Sequence, residues 1–163
     1  MITIREYRAD DAPALWGVYF SAIRETAAKD YTSQQIAAWA PETFDQSLWA
    51  TRMAGISPFV AEREGRVVGY ADVQPNGYID HFFVAGHAGR QGVGQALMTQ
   101  IHSHATSTGI TSLFSDVSIT ARPFFEHWGF AVEQRQSLVV AGISLTNYRM
   151  RKDQLTLKWS RRP

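Results

Sequence analysis

Polar and apolar residues alternate from Ile2 to Tyr7, which predicts a first strand. Leu15, Val18, Tyr19, Ala22 and Ile23 then recur at helical spacing, predicting a helix that runs to about residue 27. Asp10 or Asp11 stands where its cap belongs, and Pro13 falls in its first turn. Lys29-Asp30-Tyr31 reads as a loop. Thr32, followed three residues later by Gln35, forms a capping box. The short helix it starts carries Ile36 and Trp39 and stops before Pro41. A further helix is predicted over 44–53, with Phe44, Leu48 and Trp49 inward and Gly55 and Pro58 closing it.

The period then changes to that of strands. Residues 59–63 and 67–73 flank Glu64-Gly65-Arg66, a hairpin turn with glycine at the strained position. Pro75-Asn76-Gly77 marks another turn, and 78–84 returns as the third strand of a meander. A glycine-rich loop follows and opens into a helix with Val93, Ala96, Leu97, Ile101 and Ala105 on one face and Gly109 as its stop. After it come a strand at 111–117, a short helix at 121–127 ended by Gly129, and two long strands, 131–140 and 143–151, around Gly142. Strand, helices, meander, helix, strand, helix and two strands make a mixed α/β sheet with helices on its faces.

Composition narrows the function classes. The 163 residues, 45% apolar and 19% charged, suit one soluble domain with a real core. A net charge of +1 gives no reason to expect a nucleic acid or a membrane surface as partner. No cysteine is present, which excludes disulfides, thiolate metal sites and a cysteine nucleophile. The first residues lack the basic-then-apolar layout of a signal peptide, and no run nears the ~20 apolar residues that span a bilayer, so a cytoplasmic location is expected.

The loop carrying Gly89, Gly92 and Gly94 holds the candidate chemistry. Glycines let the main chain approach a ligand, and a helix start offers unsatisfied N–H donors and partial positive charge, a combination suited to phosphate oxygens. Arg90 adds a guanidinium at the rim. The loop is not a P-loop, since no Gly-Lys-Ser/Thr follows, and Leu97 occupies the third small position of a dinucleotide fingerprint. On spacing alone, a tight turn without a ligand is the competing reading. His102, His104 and His127 have no partners at metal-ligand spacing, so no metal site is read. Ser115 and Ser118 lack a triad context.

Two segments bear a family resemblance. Ile79-Asp80-His81-Phe82-Phe83-Val84, followed by Gly89-Arg90-Gln91-Gly92-Val93-Gly94-Gln95-Ala96-Leu97, resembles the Arg/Gln-x-x-Gly-x-Gly/Ala loop of the GNAT family of acetyl-CoA-dependent N-acetyltransferases. Ser118-Ile119-Thr120-Ala121-Arg122-Pro123-Phe124-Phe125-Glu126-His127-Trp128-Gly129-Phe130 resembles the family's Asn-x-x-Ala-x-x-x-Tyr-Glu-x-x-Gly-Phe segment. The stretch from Tyr31 to Trp39 is similar to a subgroup of uncharacterised members. The resemblance covers nearly the whole chain, with residues 1–151 as a single GNAT domain and 152–163 as a basic C-terminal tail. It implies a mixed, mostly antiparallel central sheet of about seven strands, with helices on both faces and a splay between the fourth and fifth strands.

Acetyl-CoA is the donor substrate so implied, without a metal. The resemblance gives the pyrophosphate to main-chain N–H groups of Gln91, Gly92, Val93, Gly94 and Gln95, flanked by Gly89 and Arg90. It pairs the pantetheine arm with the main chain of Phe82, Phe83 and Val84, and sets an N–H near Val84 on the thioester carbonyl. Ala121, Phe124 and Phe125 would lie beside the thiol end, with Ser118 nearby. Three positions depart from the family: Gly89 replaces Arg or Gln, Ser118 replaces Asn, and Phe125 replaces the Tyr that protonates the departing thiolate. A thiol with a pKa near ~8.5 can leave unassisted.

Amine attack needs the acceptor's ammonium proton removed first. Asp80 and His81 border the expected splay and, on an unbroken strand, point to opposite faces. His81 has the intrinsic pKa of a base near neutrality, and Asp80 could hold the ammonium. Tyr31 is a candidate proton donor, and Tyr31 with Trp39 candidate walls of the acceptor pocket. The function expected is acetyl transfer to the primary amine of a small acceptor by direct attack in a ternary complex. The alternative is a non-catalytic acyl-CoA-binding module on the same fold, which Phe125 favours, and a third is a small nucleotide-binding α/β domain. Homodimers are common in the family.

Overall fold

A computed structural model describes residues 1–155. Strand β1 (Ile2–Glu6) leads through a turn of 3₁₀ helix into α1 (Ala12–Ser21), which continues as a π-helical turn, Ala22–Thr26. The predicted caps are corrected here. Asp11 does not cap α1: its carboxylate accepts the Arg8 N–H at 2.7 Å and the Arg5 guanidinium at 2.7 and 2.9 Å. Arg5 also reaches Glu62 at 2.8 Å, so one guanidinium ties β1, the start of α1 and the next strand. The Thr32–Gln35 box is present, with both reciprocal bonds, and opens α2 (Ser33–Trp39). In α3 (Gln46–Ile56), Asp45 caps the helix through the Leu48 N–H. Trp49 turns inward and donates its indole N–H to the Ala12 carbonyl, whereas Leu48, expected inward, is 70% exposed.

Strands β2 (Phe59–Arg63) and β3 (Arg66–Ala71) form the hairpin, with Glu64 and Gly65 both at positive φ. The run 78–84 is not one strand. It divides into β4 (Tyr78–Ile79) and β5 (Phe82–Val84), so eight strands are described where seven were expected. α4 (Val93–Thr108), β6 (Leu113–Ser118), α5 (Arg122–His127), β7 (Ala131–Val140) and β8 (Ile143–Lys152) complete the order. Most of the predicted tail, from residue 156 on, lies outside the described residues.

The strands form two four-stranded sheets, β1-β2-β3-β5 and β4-β6-β8-β7. Every pairing is antiparallel except β4 with β6, where Tyr78 faces Phe114 and Ile79 faces Ser115 in parallel. The two halves of one chain segment thus belong to different sheets. Among the described residues, β5 pairs only with β3, and β6 pairs beyond Ser115 only with β8. The expected splay lies there, between β5 and β6.

Helices cover both faces of the first sheet. α4 packs so closely on β3 that a Cβ at Gly69 would stand 2.8 Å from Val93 Cγ1 and 3.2 Å from Leu97 Cδ1. The buried face of α4 is Val93, Leu97, Met98, Ile101 and Ala105; Ala96, expected on it, is only half-buried. Tyr70, the next residue along β3, is fully buried on the α1 side beside Tyr19-neighbour His81 and Phe83.

Gly77 sets the approach of β4 to β6. Its φ is +91°, its carbonyl accepts the Phe114 N–H, and a Cβ there would sit 2.0 Å from the Ser112 carbonyl oxygen. Gly77→Ala therefore combines a left-handed backbone with a main-chain clash. It is expected to cost at least about 2 kcal/mol of unfolding free energy, read by urea denaturation.

Candidate active site

The loop before α4 is exposed and shaped by two residues in left-handed backbone, Arg90 (φ 62°) and Gly92 (φ 85°). Gly92 is the N-cap of α4 and offers no side chain, so no side chain caps the helix end. The first intrahelical bond is Ala96 N–H to the Gly92 carbonyl. The N–H groups of Val93, Gly94 and Gln95 precede it and have no acceptor within the helix. No acidic side chain stands in the first turn to compete for an anion. Gly89 and Arg90 flank this cradle, and Gln91 turns back to the His87 carbonyl at 3.4 Å. An open groove of about 480 Å³ shares Gly92 and Gln95 with the cradle but runs along the outer flank of α4 toward Ile4, not between the sheets.

Phe82, Phe83 and Val84 line the free edge of β5, each half-buried. The Phe124 ring lies against Gly94, where a Cβ would be 3.2 Å from it, and 5.4 Å from the Phe82 ring. Phe125 is buried against Phe82 and Phe130 as part of the core. Ser118 accepts the Ala121 N–H at 3.1 Å and so shapes the turn into α5. The structure therefore brings the loop, the β5 edge and the start of α5 together around one opening.

Asp80 and His81 occupy the break between β4 and β5, and their environments differ sharply. Asp80 is part-exposed, with the Arg52 guanidinium of α3 at 4.0 Å. His81 is 4% exposed, inside a box of Tyr19, Trp49, Tyr70 and Phe83, with Nδ1 2.9 Å from the Tyr70 hydroxyl. Burial, helped by the Arg52 charge, pushes its pKa down to about 3. A neutral imidazole so reluctant to take a proton is a poor base, which corrects the intrinsic-pKa argument for His81.

Tyr31 is also corrected as a proton donor. Its hydroxyl donates to the Thr146 carbonyl at 2.7 Å and accepts the Ile119 N–H at 3.0 Å, and burial raises its pKa. It is a tether that binds the loop before α2 to β8 and to the segment after β6. Trp39 packs edge-on to Tyr31 at 5.3 Å, and its carbonyl accepts the Tyr19 hydroxyl. Both rings are half-buried, so they stay available as walls.

Sequence reasoning missed Asp72. This carboxylate is fully buried just past β3. It accepts the His81 N–H at 2.6 Å and the Gln74 amide at 2.6 Å. Burial pushes its pKa up to about 6, against the pull of those donors. Only the pairing of strands reveals it, since 67–73 reads from sequence as one more strand. Among the described residues, no three His, Cys, Asp or Glu side chains gather as a metal site, and no helix is long and apolar enough to cross a membrane.

Residues 27–152 match the family model described as an acetyltransferase (GNAT) domain. The uncharacterized N-acetyltransferase YafP of Escherichia coli K12 is 34% identical over 150 residues, covering 92% of this chain and 95% of that protein. The crystal structure of a GCN5-related N-acetyltransferase from Rhodopseudomonas palustris superposes with a TM-score of 0.88 at 28% identity, over 93% of this chain and 94% of that one. The PaiA N-acetyltransferase of Thermoplasma acidophilum, solved in complex with coenzyme A, shares the fold with a TM-score of 0.69 at 17% identity, over 94% and 99%. The chain belongs to the GNAT family of acetyltransferases.

Two predictions follow the geometry. Tyr31→Phe leaves the Ile119 N–H and the Thr146 carbonyl without their partner and is expected to destabilise by about 1–3 kcal/mol in denaturant unfolding. Turnover below the melting range should keep the wild-type alkaline limb; loss of that limb would restore Tyr31 as an acid. The second concerns pH. Between pH 6 and 4 the folded state takes up a proton on Asp72 that the unfolded chain, near 3.8, does not, so acidification favours folding. Over the same window the unfolded chain protonates His81, near 6.5, and the folded state refuses it, so acidification favours unfolding. Asp72→Asn removes only the first effect. The variant's stability is expected to fall relative to wild type by about 1.4 kcal/mol per pH unit from pH 6 to 4, measured by urea unfolding.

Proposed function

We propose that this protein is an acetyl-CoA-dependent N-acetyltransferase that moves an acetyl group to the primary amine of a small acceptor by direct attack in a ternary complex. The observation that carries the reading is the opening between β5 and β6, with a helix start that no side chain caps at one end of it. Main-chain N–H groups of Val93, Gly94 and Gln95 suit a diphosphate, with Gln91, Gly92 and the Arg90 guanidinium at the rim. The unpaired edge of Phe82, Phe83 and Val84 suits the amides of a pantetheine arm, and an N–H near Val84 suits the thioester oxygen. Ala121, Phe124 and Ser118 would flank its thiol end. The PaiA relative, solved with coenzyme A on this fold, supports the same donor.

Asp80 is the group we assign to the acceptor. It is part-exposed beside the opening, while His81 is sealed in the core. Its carboxylate holds the ammonium and takes its proton toward solvent, and the free amine attacks the thioester carbonyl carbon. The C–N bond forms, the C–S bond breaks, the nitrogen gives its second proton to solvent, and the thiolate leaves without a side-chain acid, because Phe125 has no proton to give. With no cysteine in the chain, no thioester-linked acyl-enzyme intervenes, which favours direct transfer. Tyr31 and Trp39 wall the acceptor side. The near-neutral chain favours a small acceptor over a strongly charged macromolecule. The cytoplasm is the location we assign, and a homodimer the assembly.

Thiol release from acetyl-CoA in the presence of an amine panel tests the activity. CoA should raise the melting temperature, and at least one amine should release thiol; stabilisation without release across the panel would favour a binding module. Gly94→Trp, which fills the cradle beside Phe124, is expected to abolish CoA stabilisation. Asp80→Asn is expected to lower kcat by about 100-fold with CoA affinity kept.

A further inference from the structure

We propose that Asp72 is a positioning residue for acetyl transfer: its buried carboxylate takes the main-chain N–H of His81 and thereby sets the bulge that aims Asp80 at the opening. The inference rests on the acetyltransferase reading above. The register shows the device. Gly69, Tyr70 and Ala71 face Val84, Phe83 and Phe82, and the Asp72 N–H continues the ladder to the His81 carbonyl at 3.1 Å. The next rung joins the Gln74 N–H to the Tyr78 carbonyl at 2.8 Å. Between these rungs lies Val73 on one strand and both Ile79 and Asp80 on the other, so the second strand carries one extra residue.

In an unbroken ladder the His81 N–H would return to the Asp72 carbonyl. Here it goes to the Asp72 side chain at 2.6 Å, and the surplus residue, Asp80, lies next to the N–H so held. The extra residue also settles which neighbour faces where: His81 turns into the aromatic box, and Asp80 turns out toward Arg52. Gln74 holds the other carboxylate oxygen while its amide also reaches the Ile56 carbonyl at 3.1 Å. Ile56 ends α3, the helix that carries Arg52. One carboxylate therefore fixes both the strand that bears Asp80 and, through Gln74, the helix that bears its ionic partner.

Asp72→Asn keeps size and one acceptor oxygen but turns an NH₂ toward N–H donors. Asp72→Ala removes the acceptor. Amide hydrogen exchange reads the clamp without any turnover: protection of the His81 amide is expected to fall at least about tenfold in Asp72→Ala, with the α4 amides unchanged. Kinetics read the positioning. Asp72→Asn is expected to bind CoA within about threefold of wild type, since the cradle lies on another element, and to lose at least about tenfold in kcat. In an Asp80→Asn background the same substitution should cost little more, because both act through one carboxylate. Unchanged protection of the His81 amide, a kcat within twofold of wild type, or fully additive losses in the double variant would each overturn the proposal. A wild-type protein that releases no thiol with any amine would instead overturn the acetyltransferase reading, while the exchange result would still decide the clamp.

Discussion

A β ladder closes when each N–H finds a carbonyl across the strand, and this fold depends on one place where it does not. At Asp72 a side-chain carboxylate intercepts the His81 N–H of the neighbouring strand. The strand that would have run from Tyr78 to Val84 is thereby divided between two sheets. The arrangement is costly. A carboxylate with its pKa pushed up from 3.8 to about 6 destabilises the folded state by roughly 3 kcal/mol at neutral pH. It persists because the His81 N–H and the Gln74 amide satisfy its oxygens, although among the described residues no cation accompanies it at hydrogen-bond distance. Strain of this kind is tolerated where the surrounding structure over-determines the site, and here the surroundings are the packed box of Tyr19, Trp49, Tyr70 and Phe83.

Features fixed by local chemistry were legible in the chain. The Thr32–Gln35 box, the hairpin at Gly65 and the stops at Gly109 and Gly129 each depend on a few adjacent residues, and each is present. The order of strands and helices, and the glycine loop leading into α4, followed from the same punctuation. What failed depended on distant partners. Spacing put Leu48 and Trp49 on one inward face, but the indole bond to Ala12 and the Asp45 cap turn α3 so that only Trp49 is covered. Asp11 had the position of a cap, but Arg5, six residues earlier, claims its carboxylate.

The candidate site divides along the same line. The glycine loop leading into α4 is legible because it is contiguous, whereas the surroundings of Asp80, His81 and Tyr31 do not follow from type and position. His81 has the residue type of a base, yet burial removes its use as one. Tyr31 has the type of an acid, yet Thr146, 115 residues away, takes its proton as a hydrogen bond. Asp80, the candidate holder of the ammonium, is part-exposed at the break in the strand, with Arg52 beside it. Asp72 gave no local signal at all, because its effect appears only when the two strands are paired.

The two halves of the opening are built on different sheets, and this constrains how it can change shape. α4 and the cradle ride on the first sheet through the close contact at Gly69. Ser118 and α5 continue from β6 of the second. Their nearest stitch is the short parallel pairing of Tyr78 and Ile79 with Phe114 and Ser115, backed by the Ser115 hydroxyl on the Ile79 carbonyl at 2.7 Å. Immediately after Ile79 comes the bulge held by Asp72. The point where the sheets are joined and the point where they part are therefore consecutive residues, so an alteration of either is transmitted to the width of the opening and to the direction of Asp80 together. Such a junction makes the proposed donor and acceptor sites geometrically dependent on one another, even though they use separate sets of residues.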